Sequence, residues 1–237
     1  MAVNREEILA LYKGLRVTDV NDGLDAVGLQ NVCIMDHSIR PLWRDIENFR
    51  HRIVGFALTV QYLPANTAIH PASLDDFHEK QAHWYAEISS NRGWSPTIQK
   101  NDIIAIDCST NTDVGFCGSS NSYSWINKGA VGVVTNGGAR DTDELIKQQI
   151  PVYSSYIGRG IKPGRIVMNE FNKPVNIGGV MVRPGDLIVA DGDGVVVVPI
   201  EKVYDVAAYA RKISDWDKEA RRGHYEKAGR PLDFTVQ

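Results

Sequence analysis

The apolar positions of the chain fall into short runs separated by glycine-rich turns, with helical spacing at both ends. Ile8, Leu9 and Tyr12 recur at a helical interval over residues 5–12. Thr18 and Asp19 offer an N-cap for a second helix carrying Val20, Leu24 and Val27, which Gly28 stops. Residues 55–60 alternate, placing Phe56, Leu58 and Val60 on one face of a strand. Residues 102–107, DIIAID, form a near-continuous apolar run between charges, the pattern of a strand buried on both faces. Residues 130–134 and 151–155 read as two more strands, with a helix over 141–150 between them. Glycines interrupt residues 175–182 as in a bend or bulge, and Arg183-Pro184-Gly185-Asp186 is a turn. Residues 187–190 and 195–199 are strands joined through Asp191-Gly192-Asp193-Gly194. From Ile200 onward Val203, Val206, Ala207, Ala210 and Ile213 define a helix face, and charges dominate beyond Asp215. This alternation of strands and helices predicts a mixed α/β fold.

Residues 66–99 have a different texture. Phe77, Gln81, Trp84, Tyr85 and Ile88 recur at helical spacing between Pro71 and Gly93. The same stretch concentrates His70, His78 and His83 with Asp75, Asp76 and Glu79. A metal reading competes with that of a solvated helix face. The five-residue interval from His78 to His83 does not align two ligands as a four-residue interval would, so the solvated face is preferred. A lid or a subunit contact is the other role open to this segment.

Composition bounds the function. With 237 residues, 43% hydrophobic and 23% charged, the chain can build one large domain spanning 1–237. A net charge of −3 offers no general attraction to nucleic acid or anionic membrane, so the expected partner is a small molecule or a protein. Arg5, Glu6 and Glu7 stand where a signal peptide would be apolar, and no segment reaches membrane length, which leads to the expectation of a cytoplasmic protein. Cys33, Cys108 and Cys117 match neither a disulfide framework nor a zinc site. They are expected to be reduced, and no nearby histidine would activate Cys117. Asp191-Gly192-Asp193-Gly194 lacks the later ligands of a calcium loop. Gly158-Arg159-Gly160 lacks the third glycine of a dinucleotide fingerprint.

The chemistry concentrates in residues 118–141, GSSNSYSWINKGAVGVVTNGGARD. A buried strand here ends in glycines and delivers Arg140 and Asp141 to its rim. Two readings of Asp141 stand side by side: a cap for the helix that carries Leu145 and Ile146, with Glu144 three residues on, or a functional carboxylate. Upstream, residues 115–121 form a Gly/Ser-rich loop. A helix starting near Ser120 would add exposed amides and its positive end, suited to a carboxylate.

The register of Gly118, Gly129, Gly132 and Gly137 with Arg140 and Asp141 resembles the RraA-like family, which includes the 4-hydroxy-4-methyl-2-oxoglutarate (class II pyruvate) aldolases. Residues 18–28 (TDVNDGLDAVG), residues 55–60 and the run RPGDLIVADGDGVVVVP are similar to the family as well. Residues 66–99 form an insert relative to its minimal version. The resemblance implies a layered α-β-β-α sandwich with a swivelling, phosphohistidine-domain-like core, assembled as homotrimers or hexamers. It implies that Arg140 contacts substrate, that Asp141 ligates Mg2+ or Mn2+, and that Gly118, Ser119, Ser120 and Asn121 form the substrate-binding loop. In the aldolases a glutamate of the C-terminal arm reaches a neighbouring subunit's site. Glu219 matches it, with Glu226 nearby and a solvated charge as the other reading. Where the family usually carries Asp or Glu directly after the first glycine, this chain has Ser119.

Two functions are therefore expected to compete. One is a divalent-metal-dependent carbon–carbon lyase acting on a 2-oxo acid, by retro-aldol cleavage or decarboxylation, releasing pyruvate. The other is a non-catalytic protein that binds and regulates an RNA-degrading enzyme.

Overall fold

The computed structural model describes residues 4–108 and 113–237. Helices α1 (Arg5–Tyr12) and α2 (Val17–Ala26) open the chain, followed by strands β1 (Arg40–Pro41) and β2 (Ile53–Pro64). The insert forms α3 (Leu74–His83), which runs into a π-helical turn at Trp84–Ile88. Next come β3 (Asp102–Cys108), β4 (Gly115–Cys117), α4 (Ser119–Asn127), β5 (Ala130–Ala139), α5 (Thr142–Lys147), β6 (Val152–Ile157) and β7 (Ile166–Phe171). The chain closes with β8 (Val175–Ile177), β9 (Val180–Val182), β10 (Leu187–Asp191), β11 (Gly194–Val198) and the long α6 (Val203–Lys227).

One sheet runs in the order β1-β6-β5-β3-β2-β10-β11, with β4 added to β5 and β7 to β2. The pairs β2–β3, β3–β5 and β5–β6 are parallel, and β10 returns antiparallel to β2. The sheet curls until its ends meet. Ile34, shortly before β1, bridges Val196 of β11, and the Arg40 guanidinium donates to the Asp193 carbonyl at 2.7 Å. The result is a mixed α/β fold built on a nearly closed barrel.

Period-two alternation sorts the core. Ile53, Ala57, Ile103, Ala105, Val134, Tyr153, Ile188 and Val197 point into the barrel, and the β8–β9 hairpin adds Val175 and Ile177 to that interior. The opposite face of the sheet is buried in two places. Phe56, Leu187, Val189 and Val196 pack under α1, α2 and α6, while Leu58, Val60, Ile104 and Ile106 pack with Trp94, Trp125 and Leu145. Phe56, Leu58 and Val60 thus share a face as expected, and every residue of β3 is buried.

The turns have local explanations. Gly178 and Gly179 both take positive φ in the two-residue β8–β9 turn, which suits an I′-type hairpin. Asp186 accepts from the amides of Arg183 (2.9 Å) and Ile200 (3.1 Å), and Asp191 accepts from those of Val17 (2.9 Å) and Asp193 (2.8 Å). These carboxylates fasten the chain, which accounts for the PGD and DGDG segments without an ion.

Several boundaries differ from the sequence expectation. The second helix is capped at Arg16 rather than at Thr18 or Asp19. Asp19 stands at the third helical position, accepts from the Arg16 amide at 2.9 Å and pairs with its guanidinium. The strand expected at 130–134 continues to Ala139 because Gly137 and Gly138 fit beside Phe116 and Val114 of the adjoining segment. The helix after it is short, Thr142–Lys147. Among the described residues no helix is long and apolar enough to cross a membrane.

Gly23 sits inside α2 despite a helix cost of about 1 kcal/mol relative to alanine, because α2 rests closely on α6. A Cβ there would lie 2.7 Å from the Val206 carbonyl oxygen. Gly23→Leu is expected to lower unfolding stability by about 1–3 kcal/mol through overpacking, read by denaturant titration. An unchanged midpoint would mean that the α2–α6 contact is loose.

Candidate functional site

The site forms where β4 joins β5 in parallel, with Gly115 opposite Gly138 and Cys117 opposite Ala139. Both strands end together, so residues 118–119 meet residues 140–141. The Arg140 amide donates to the Cys117 carbonyl at 3.0 Å, which fixes the junction. Two glycines make the approach possible. A Cβ on Gly115 would overlap the Arg140 side-chain stem, and one on Gly118 would lie 2.5 Å from Asp141 Oδ2.

Asp141 has φ 53° and ψ 45°, the left-handed region that Asp and Asn tolerate better than most residues. It occupies the N-cap position of α5, yet its side chain makes no cap hydrogen bond. The carboxylate turns the other way. Oδ2 accepts from the Ser119 amide at 3.2 Å, and Oδ1 accepts from Arg140 Nε at 3.1 Å. Of the two readings, the helix-cap one is therefore not realised by the side chain. Arg140 and Asp141 are each about one-third exposed, at 32% and 33%.

The segment expected as a loop at 115–121 is instead strand β4, then Gly118 as N-cap, then α4 beginning at Ser119. First-turn amides of a helix have no intrahelical acceptor; that of Ser119 is taken by Asp141, and those of Ser120 and Asn121 are the donors left for this corner. Gly118, Ser120, Asn121, Arg140 and Asp141 line one cavity of about 450 Å³.

Two contributors to this cavity were not singled out from the sequence. Lys162 is 5% exposed; its Nζ lies 3.1 Å from the Tyr62 hydroxyl and 4.3 Å from that ring's centroid. Among the described residues it has no carboxylate partner. Only the fold brings Lys162 here, since it sits in an unremarkable Gly-Ile-Lys-Pro-Gly loop. The second contributor is the insert, which supplies Gln81, Tyr85, Ser89 and Asn91. Its helical periodicity was legible in the sequence, but its destination was not.

Other candidates fall elsewhere. His70, His78 and His83 are exposed, and among the described residues no group of three or more His, Cys, Asp or Glu is arranged to hold an ion. Asp76 is engaged with Lys80 at 2.8 Å and with the Ala72 amide at 2.6 Å. Glu219 lies on α6 in a separate groove with Arg222 and Glu226, not in the Arg140 cavity of the same chain. Cys117, beside the site, is fully buried, and burial pushes its thiol up to about 12. Lys162 acts on it in the opposite sense, and Asp141 adds weakly to the rise.

Comparison with known proteins locates this architecture. A family model described as RraA-like, Aldolase/RraA, matches residues 17–197. A Halalkalibacterium halodurans protein provisionally named a 4-hydroxy-4-methyl-2-oxoglutarate aldolase is 30% identical over 91% of this chain and 87% of its own length. The Legionella pneumophila protein DlpA is 27% identical over 79% of this chain, but the match spans only 27% of DlpA. Among solved structures, an uncharacterized Pseudomonas syringae protein superposes with a TM-score of 0.73 at 23% identity, covering all of both chains. A Streptomyces coelicolor member of the RNase ES inhibitor RraA family also reaches 0.73, at 21% identity, over 93% of this chain and 98% of its own. At those identities the two structures establish the shared fold alone.

Burial raises the thiol pKa of Cys33, Cys108 and Cys117 alike, so little thiolate forms near neutrality. Iodoacetamide at pH 8 is expected to leave all three unmodified in the folded protein and to alkylate them in denaturant, as read by mass spectrometry. Rapid native labelling of Cys117 would restore a reactive role for it.

Proposed function

The chain belongs to the RraA-like family, and from that premise we propose that it is a lyase acting on a 2-oxo acid, with a divalent metal at Asp141. The observation that carries this reading is the convergence of Arg140, Asp141 and the first-turn amides of α4 on one cavity. The donor set fits a hard cation that keeps most of its water. Asp141 is a partly exposed carboxylate on the cavity wall, and no enclosing cage of His, Cys or carboxylate ligands surrounds it among the described residues. Asp141 would hold Mg2+ or Mn2+, and when bound this cation supplies Lewis-acid polarisation of the 2-oxo group.

The protein's own groups have separate tasks. The α4 amides at Ser120 and Asn121 grip the substrate carboxylate while that of Ser119 holds Asp141, and Arg140 offsets the negative charge that grows on the 2-oxo oxygen. Lys162 adds a second cation, itself buried, to the same cavity. In retro-aldol cleavage the C3–C4 bond breaks, its electron pair passes to the pyruvate enolate, the C4 hydroxyl loses its proton, and C4 leaves as an aldehyde or ketone. The enolate then takes a proton at C3 to give pyruvate. In oxaloacetate decarboxylation the same enolate forms by loss of carbon dioxide, and no hydroxyl proton has to be removed. Glu219, on the C-terminal helix, would join this site from a neighbouring copy in a homotrimer or hexamer.

Ser119 is a neutral hydroxyl 3.5 Å from Asp141 Oδ2 at a position where a carboxylate could serve as base. That favours decarboxylation over aldol cleavage. It also supports the second reading, a non-catalytic protein that binds an RNA-degrading enzyme. A pyruvate-release assay with oxaloacetate and with 4-hydroxy-2-oxo acids, with and without Mg2+, separates these readings. Metal-dependent release is the expected result, and no release from any of these substrates would favour the binding protein.

Asp141→Asn is expected to abolish the calorimetric heat of Mg2+ or Mn2+ binding while leaving thermal stability nearly unchanged. Asn tolerates the left-handed backbone, and no side-chain cap is lost. Wild-type metal binding in the variant would remove Asp141 from the metal site.

Ser119→Asp is expected to raise aldol cleavage relative to decarboxylation, by on the order of a hundredfold if the new carboxylate acts as a general base. An unchanged ratio of the two rates, with efficient cleavage by the unmodified protein, would mean that another group takes the hydroxyl proton.

A further inference from the structure

A second cavity, of about 540 Å³, lies apart from Arg140 and shares no lining residue with the cavity there. The segment after α1, the loop ahead of β2, α6 and the C-terminal tail enclose it. Contacts between these elements fix its walls. Arg211 of α6 donates to the carbonyls of Leu11 (3.0 Å) and Lys13 (2.8 Å), which holds the end of α1 against α6. Further along α6, Arg221 donates to the Thr235 carbonyl of the tail at 3.4 Å. Phe234, beside Thr235, meets the Phe49 ring edge-on with centroids 5.1 Å apart, and so joins the tail to the loop ahead of β2.

The lining is cationic out of proportion to the chain. Lys13, Arg16, Arg52, Arg211, Lys218 and Arg221 share it with one carboxylate, Asp215. Behind them Asp19 pairs with Arg16, and Asp217 pairs with Arg16 (2.7 Å) and Arg221 (3.6 Å). Setting these three carboxylates against the six cations leaves an excess of three positive charges, in a chain whose net charge is −3. Lys13, Arg52, Arg211 and Lys218 form no ion pair with a carboxylate among the described residues. Arg52 is the plainest case. Its guanidinium lies over the Phe49 ring at 3.9 Å, its Nε is buried without a hydrogen-bond partner, and its terminal nitrogens make no hydrogen bond among the described residues. A guanidinium covered on one face by a ring still has its in-plane terminal donors to give to an anion.

We infer that this cleft is a second ligand site, one that takes a small phosphorylated compound carrying two or more negative charges. Its cations come from three elements: Lys13 from the end of α1, Arg52 from the loop ahead of β2, and Lys218 and Arg221 from α6. They therefore reach an anion from several directions. A tetrahedral phosphate presents oxygens to all of them, whereas a planar carboxylate is filled by a single guanidinium fork. The volume is that of a small-molecule site. Sugar phosphates and nucleotides share this chemistry, and the Phe49–Phe234 edge offers an apolar surface to a base. The inference is independent of the chemistry at Arg140.

Calorimetry in metal-free buffer tests this with fructose 1,6-bisphosphate, ADP and citrate at one low ionic strength. At least one of the two phosphorylated probes is expected to bind, severalfold more tightly than citrate, and to weaken as salt is added. The tighter of the two tells a sugar phosphate from a nucleotide, since only ADP brings a base to the ring edge. Arg52→Gln and Lys218→Gln are each expected to weaken that binding by about tenfold, the scale of one charge-assisted hydrogen bond. Lys13→Gln, at an exposed position, gives the same readout where either of those variants melts at a lower temperature. Arg140→Gln is expected to leave the affinity unchanged, because Arg140 lines the other cavity. Failure of both phosphorylated probes to bind, citrate binding as tight as theirs, unchanged affinity in the cleft variants, or an equal loss in Arg140→Gln would each overturn the inference.

Discussion

The candidate site depends on two missing Cβ atoms. β4 and β5 end side by side, and the Arg140 stem lies in the space above Gly115 while the Asp141 carboxylate lies against Gly118. The ion pair between Arg140 and Asp141 cannot hold this arrangement by itself. With both side chains about one-third exposed, such a pair contributes about 0–1 kcal/mol. Backbone approach, the Arg140 amide bond to Cys117 and the left-handed turn at Asp141 set the geometry, and the charges follow. A left-handed residue costs about 1–2 kcal/mol, which the surrounding junction has to offset. That local cost turns the carboxylate away from α5 and toward Ser119.

Lys162 shows a similar imbalance. An ammonium removed from water loses several kcal/mol of hydration. The Tyr62 ring and hydroxyl return part of it, a desolvated cation–π contact being about 2 kcal/mol. The chain supplies no carboxylate to Lys162 among the described residues. An anionic ligand in the adjoining cavity would complete its surroundings, consistent with a substrate that carries a carboxylate. Protein stability and ligand binding are in tension at this residue, as is common where a fold holds a charge ready for a partner.

Most of the fold was legible because burial imposes period. Residues 102–107 read as a doubly buried strand and are one, and Phe56, Leu58 and Val60 share a face because alternation dictates it. Boundaries were less legible. The glycines at 137 and 138 read as the end of a strand, whereas close packing against Phe116 and Val114 keeps them within it. At the second helix, capping moved to Arg16 because Asp19 reaches back to the Arg16 amide from the third position. In the site, Arg140, Asp141 and residues 118–121 could be named from their motif. Lys162 and the insert side chains could not, because only the closing of the sheet and the anchoring of Trp84 bring them to the same space.

The corner at Ser119 and the segment at 66–99 meet in one cavity. Ser119 alters the reacting end, where a carboxylate could accept a proton from the C4 hydroxyl and a neutral hydroxyl cannot do so unaided near pH 7. On the lyase reading, electron withdrawal at the 2-oxo group does not depend on Ser119, because Arg140 and Lys162 line the cavity independently of it. Decarboxylation needs only that withdrawal; aldol cleavage needs the proton transfer as well. Among the described residues no histidine lines the cavity to act as a base in place of a carboxylate at position 119; His70, His78 and His83 are exposed. The segment at 66–99 therefore adds uncharged polar side chains, Gln81, Tyr85, Ser89 and Asn91, to the cavity wall without adding a base, so on the lyase reading the proton transfer that aldol cleavage requires has to be met from elsewhere.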